Sequence, residues 1–408
     1  MTEGEFPTRR IAPASRSRRP FPRWRPEAID QGELVPDLPR SSPLGDIHVA
    51  LGATFTDFAG WSMPVKYSSD LAEHHAVRTA AGIFDISHMG EISVRGARAG
   101  EFLDATLAGR LSALELMQAK YTLLLNERGG VVDDLIVYRN GADEYLVVAN
   151  ASNREVVAKA LTSAATSFDL AVTDVSDGIA LIAVQGPRAQ EIVEKTVGLD
   201  IVPGQASLAE VRYYRATAAT FNERNVFIGR TGYTGEDGFE LYVDVRDAAA
   251  LWSALTVAGA PLGLVPAGLA CRDTLRLEAG MPLYGHELGT DLLPEQAGLG
   301  RVVALAKDVD FPGRAAVEAG APEGARVLVG LVAEGRRAGR AGYAVVATDG
   351  TPVGEITSGA LSPTLGHPIA LAYVDPDSSA VGTQLAIDVR GSRIPATVTT
   401  LPFYSRKK

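Results

Sequence analysis

The stretch NERGGVVDDLIVYR (residues 126–139) sets two adjacent carboxylates, Asp133 and Asp134, inside a run that otherwise has the make-up of a buried β-strand. With the preceding YTLLL (residues 121–125) it reads as a hairpin. Two β-rich runs flank a polar turn in which Gly129 and Gly130 supply positive φ. Neighbours on a strand point to opposite faces, so one carboxylate must meet a core or a cavity if either side of the sheet is covered. A buried carboxylate without a partner is costly. Two readings follow: an edge strand whose carboxylates are solvated or ion-paired, or an acid placed for chemistry.

The 408 residues, 46% hydrophobic and 22% charged, suit two or three domains with sizeable cores. A formal net charge of −10 argues against a general nucleic-acid binder. No run approaches the ~18 apolar residues of a membrane span. The single cysteine, Cys271, excludes an intramolecular disulfide framework and a multi-cysteine metal site. A cytoplasmic protein is expected. Residues 1–41, with RRIAPASRSRRPFPRWRP, read as a disordered basic tail.

The folded part is expected from Pro43. Helices are expected at 46–51, 70–80 (with Asp70 and Glu73 in a capping-box-like start), 101–107, 153–165, 189–197 and 248–259. FTDFAGWSMPVKY reads as an irregular aromatic segment, and IFDISHMGEISVRG as strands. Further strands are expected at 145–149, 179–185 and 239–245, with others running up to 228. Short strands at 327–332, 343–347, 354–357, 369–373 and 384–389 suggest a small all-β C-terminal domain.

Two further stretches carry chemistry. RTGYTGEDGFELYV (residues 230–243) fits neither a dinucleotide fingerprint nor a P-loop. Its glycines let backbone approach something flat on which Tyr233 can stack. Phe239, Leu241 and Val243 share one strand face and Glu240 shares the other with Tyr242. Glu240 is then either solvated or a bidentate acceptor for adjacent N–H donors of a heterocycle. In AGLACRDTLRLEAGMPLYGHEL (residues 267–288), Arg272 and Arg276 lie one helical turn apart. They either bind an anionic substrate or pair with Asp273 and Glu278. Cys271 reads as a small buried hydrophobe, His88 as a structural hydrogen-bonder, and no metal-site spacing is seen.

These stretches, with FAGWSMPVKY (58–67), GIFDISHMGEI (82–92), ALIAVQGPRA (180–189), GEITSGALSPTLG (354–366) and PFY (402–404), resemble the aminomethyltransferase (T-protein) family of the glycine cleavage system, over about residues 43–404. The resemblance implies an α+β, three-domain cloverleaf around a central folate cavity. Residues 42–90 and 175–287 would form a discontinuous folate-binding first domain, 91–174 an inserted α/β domain, and 288–408 a C-terminal β-barrel-like domain. It implies a tetrahydrofolate-dependent transferase that moves a one-carbon unit from the aminomethyl-lipoyl H-protein to tetrahydrofolate and releases ammonia. Tetrahydrofolate is the acceptor, and no metal, flavin, nucleic acid or membrane partner is implied. The catalytic aspartate maps to Asp134, leaving Asp133 structural. Met89, Tyr121, Tyr138, Asn150, Tyr233, Glu240 and Arg272 map to the folate pocket. A related folate-dependent demethylase of a methylated sulfur or amine compound would use the same pocket. A non-catalytic relative that assists iron–sulfur assembly would need a cysteine near residue 234, where this chain reads YTGEDGFE.

Overall fold

The computed structural model describes Met1 and residues 39–406. The expected tail therefore lies largely outside the described residues, but its last residues are ordered. Arg40–Ser41 pairs in parallel with Trp61 and Ser62, and the Arg40 guanidinium lies 4.4 Å over the Trp61 ring. The aromatic segment expected to be irregular is a hairpin, Thr54–Phe58 with Trp61–Lys66. Ala59 and Gly60 turn it with φ of 53° and 79°, and an alanine at positive φ is what hid the turn from the sequence.

Two sheets face each other, and helices cover their outer sides. The larger has seven strands in the order Leu199–Ile201, Ala216–Phe221, Arg224–Gly229, Gly238–Asp244, Ile179–Gln185, Ala81–Asp85 and Leu264–Pro266. All its pairs are antiparallel except the last. The smaller is antiparallel, in the order Ala119–Leu125, Val131–Gly141, Glu144–Ala149, Gly90–Arg95 and Ala171–Asp174. The chain leaves the larger sheet after Asp85, builds the smaller one, and returns at Ile179.

Strand alternation sorts the side chains into cores. Ile182, Val184, Phe239, Leu241 and Val243 pack against Leu251, Trp252 and Leu255 of the helix Ala248–Gly259. Ile92, Val94, Leu135, Val137 and Val147 pack against Phe102 and Leu103 of Ala99–Thr106 and Val157 and Leu161 of Arg154–Ala164. Between the sheets, Tyr138, Leu146 and Val148 meet Leu181, Ala183, Phe227 and Tyr242. Each such large side chain, fully buried, contributes about 1.5–3 kcal/mol.

The C-terminal part is a closed six-stranded barrel: Val327–Ala333, Pro368–Val374, Pro352–Leu361, Ala344–Val346, Gln384–Val389 and Ser392–Thr399. The last strand was not expected. Pro395 lies within it, and proline in a run argues against a strand.

The helix Leu269–Glu278 joins the barrel to the sheets. Glu278 accepts hydrogen bonds from Arg78 Nη2 (2.7 Å), Thr364 Oγ1 (2.7 Å), Thr364 N (3.0 Å) and Ser362. Despite its burial, the donors from His74, Ser362 and Arg78 hold its carboxyl at about 2, against an ordinary 4.5. Its contribution to stability is thus fully present above pH 4.5 and lost as pH falls through about 2. Glu278→Gln leaves Arg78, only 5% exposed, with Glu236 as its remaining carboxylate. A loss of about 3 kcal/mol is expected in urea unfolding at pH 7. The variant should also lose part of the wild type's steepening instability between pH 4.5 and 2.

Candidate active site

Where the two sheets part, a cavity of about 270 Å³ opens. Tyr121, Asp134, Ile136, Val148 and Asn150 line it from the smaller sheet, and Ile86, Leu181 and Glu240 from the larger. Met89, Tyr214, Tyr233, Arg272, Leu299 and the segment 280–284 close the remaining sides.

Asp134 lies on the same strand face as Ile136 and Tyr138, the face turned to the larger sheet. Its Oδ2 accepts from Tyr121 Oη at 3.0 Å and its Oδ1 from Asn150 Nδ2 at 2.8 Å. Burial raises its affinity for a proton, while these donors and the Arg272 charge oppose the rise. Asp133 points the other way, wholly buried, with Leu135 and Val137. It accepts from Asn150 N (3.0 Å), Asn150 Nδ2 (2.9 Å) and Asn153 Nδ2 (2.6 Å). Among the described residues no cation lies within salt-bridge distance, so the ion-paired reading of Asp133 is replaced by an amide cradle. Burial and the neighbouring Asp134 charge push its carboxyl up to about 7.

Across the cavity Glu240 is 9% exposed, and its Oε2 accepts from Thr231 Oγ1 at 2.5 Å. Burial raises its carboxyl; the Thr231 bond and the Arg272 charge counter it. Arg272 lies 4.6 Å over the Tyr233 ring, whose hydroxyl donates to the Pro282 carbonyl. Burial lowers the affinity of the Arg272 guanidinium for its proton. Among the described residues no carboxylate lies within 4.0 Å of it, unlike Arg276, which pairs with Asp273 (2.8 Å) and Glu287 (3.0 Å). The two arginines thus divide the readings that the sequence left open. Arg276 is structural, and Glu278 pairs with Arg78 instead; Arg272 faces the cavity.

The segment 44–307 matches the family model of the GCVT N-terminal domain, and 326–405 that of the glycine cleavage T-protein C-terminal barrel domain. The chain belongs to the glycine cleavage T-protein family. An aminomethyltransferase of Cutibacterium acnes is 58% identical over 368 residues, covering 90% of this chain and 99% of its own length. One from Saccharopolyspora erythraea is 54% identical over 369 residues, with the same two coverages. The crystal structure of glycine cleavage system aminomethyltransferase T from Bartonella henselae superposes with a TM-score of 0.82 at 36% identity, over 90% of this chain and 98% of that one. The fold is the α+β T-protein type and the enzyme an aminomethyltransferase of the glycine cleavage system; these relatives favour that activity over the demethylase reading.

Within this T-protein, the cavity brings together Met89, Tyr121, Asp134, Asn150, Tyr233, Glu240 and Arg272. Tyr138, expected on the wall, lies behind it. It is fully buried, edge-on to Phe227 and Tyr242, on a part of its strand that the larger sheet covers. Its hydroxyl is 2.7 Å from Thr231 Oγ1. The single Thr231 hydroxyl hydrogen goes to Glu240, so Tyr138 is the donor in a chain Tyr138–Thr231–Glu240. Tyr214, Met281, Tyr284 and Leu299 line the cavity from loops and turns that no periodicity marks. His88, expected to be hydrogen-bonded, is buried with its Nδ1 unpartnered among the described residues, and burial and the Arg272 charge lower it to about 4. Cys271 is buried and its thiol pushed up by burial, an inert position. Among the described residues no three His, Cys, Asp or Glu side chains are grouped to hold a metal.

Tyr138→Phe keeps the ring packing and removes the donor behind Thr231. A loss of about 1 kcal/mol is expected in urea unfolding, with turnover held near wild type, as for a residue behind the wall.

Proposed function

We propose that the cavity binds tetrahydrofolate and that Asp134 serves the transfer of the one-carbon unit from an aminomethylated lipoyl arm of the H-protein. The observation that carries this reading is that a half-buried Arg272, with no carboxylate in salt-bridge reach among the described residues, and a buried Glu240 stand on the walls of one apolar cavity that also exposes Asp134. Both charges need partners of opposite or complementary character, and a folate offers them. Its pterin has adjacent N–H donors for Glu240, whose oxygens retain lone pairs beyond the Thr231 bond. Its benzoyl-glutamate portion has carboxylates for Arg272. Tyr121, Tyr233 and Met89 supply flat or pliable apolar surface for the rings, and Asn150 fixes Asp134.

In the reaction the carbon's bonds to sulfur and to the amine nitrogen break, and two bonds to folate nitrogens form. The two folate N–H protons end on the departing ammonia and on the lipoyl thiol. Asp134 is placed to orient the attacking nitrogen, to take its proton in passing, and to stabilise positive charge developing on the one-carbon unit. Within a low-dielectric cavity that stabilisation exceeds what a solvated carboxylate gives. The reading also takes 42–90 with 175–287, 91–174 and 288–408 as the three domains, and the cytoplasm as the compartment.

Asp134→Asn keeps size and most hydrogen bonding but removes the charge. Turnover, read as ammonia released per enzyme, is expected to fall about 10²-fold or more, with tetrahydrofolate affinity little changed. Glu240→Gln replaces an all-acceptor carboxylate by an amide with one mismatched donor. Calorimetry should show a loss of about 1.5–3 kcal/mol in tetrahydrofolate affinity. Undiminished turnover in the first variant and undiminished affinity in the second would overturn the reading.

A further inference from the structure

The pair that opens the hairpin strand is joined as well as divided. One side-chain nitrogen, Asn150 Nδ2, donates to Asp133 Oδ1 at 2.9 Å and to Asp134 Oδ1 at 2.8 Å, and lies 3.1 Å from the Asp134 carbonyl. Two carboxylate oxygens on one nitrogen are within two hydrogen-bond lengths of each other. The orientation of the amide is thereby fixed, since only its N–H side can face two acceptors. The backbone N–H of Asn150 is also spent on Asp133, so this residue is anchored from behind the wall and not from the cavity.

We propose that Asp133 is a positioning residue for the transfer: acting through the Asn150 amide it holds the Asp134 carboxylate in place. The inference rests on the reading of Asp134 given above and deepens it.

The groups that face the pair are few. Tyr121, on the paired strand Ala119–Leu125, donates to Asp134. Arg272, on the helix Leu269–Glu278, favours the charged form of Asp134. Tyr214 and Tyr233 feel the charge of Asp134, and Tyr284 that of both. Asn150 and Asn153 lie at the end of the strand Glu144–Ala149 and are neutral. Asp134 thus has a cation on its cavity side, while Asp133 has amides alone, and two like charges so close in a buried place resist ionising together. Asp134, with the cation, gives up its proton first, and its charge then helps to push the Asp133 carboxyl up to about 7.

The test uses the full chain with aminomethylated carrier and tetrahydrofolate, and follows kcat from pH 5.5 to 9 together with tetrahydrofolate affinity and thermal melting. Asp133→Asn removes the charge and presents a donor to the donors of Asn150 and Asn153. Turnover should fall about 10-fold, less than for loss of an acid–base group itself. Affinity should stay within two-fold, and the inflection of the kcat profile near pH 7, where Asp133 ionises beside the charged Asp134, should be lost. Asn153→Ala is the second variant. Asn153 bonds Asp133 and not Asp134, and its loss makes Asp133 hold its proton more firmly, so that inflection should move to higher pH. If Asp133→Asn does not fold, Asn153→Ala decides alone. A profile near pH 7 unchanged in the folded variants, or turnover falling only in step with melting temperature or folate affinity, overturns the proposal. Failure of the wild-type chain itself to release ammonia would instead overturn the reading on which it rests.

Discussion

The arrangement depends on one helix, Leu269–Glu278, and on the opposite demands of its faces. Cys271 and Leu275 are buried between the sheets, and Leu277 meets Ile369 and Leu371 of the barrel. Arg276, 1% exposed, reaches Ser358 of the barrel at 2.7 Å and Glu287 at 3.0 Å, and Glu278 binds Arg78, Ser362 and Thr364. Buried ion pairs of this kind return little net stability over an apolar packing, but breaking one leaves a stranded charge. They therefore fix where the barrel sits more than how firmly the chain folds. Arg272 is the one arginine of this helix presented to the cavity, and its position follows from the anchoring of its neighbours.

Within the site, too, each carboxylate is held by donors around it. Glu240 is held by Thr231, which is held by Tyr138, so a wall residue takes its orientation from a donor the cavity never touches. Asp134 takes its own from Tyr121 and Asn150. Fixed dipoles and charges of this kind cost no reorganisation when charge develops in a reaction, which is the advantage of carrying Tyr121, Asp134 and Glu240 on the strands of two facing sheets.

Much of this was legible from alternation and apolar runs. The strand Ile179–Gln185 and the helix Ala248–Gly259 have the bounds their sequence suggests, because the first is uniformly apolar and the second is bounded by glycine. Period two also separated Asp134 from Asp133 and Glu240 from Phe239 correctly. It failed where local chemistry contradicts the element, as with Pro395 in the closing barrel strand and Ala59 in the turn of the first hairpin. It failed too where facing says nothing of covering. Tyr138 shares a strand face with Asp134, yet the larger sheet lies over one and not the other. The amide cradle of Asp133 was hidden for a related reason, since Asn150 and Asn153 reach it from another strand end.

The central claim is that this cavity passes a one-carbon unit to a reduced folate. The most direct measurement is ammonia release from aminomethylated lipoyl carrier by the wild-type chain, with and without tetrahydrofolate, alongside the folate product formed. Release is expected to depend on tetrahydrofolate and to match methylenetetrahydrofolate one for one. Release at the same rate without folate, or formation of methyltetrahydrofolate from a methylated donor in place of this reaction, would contradict it.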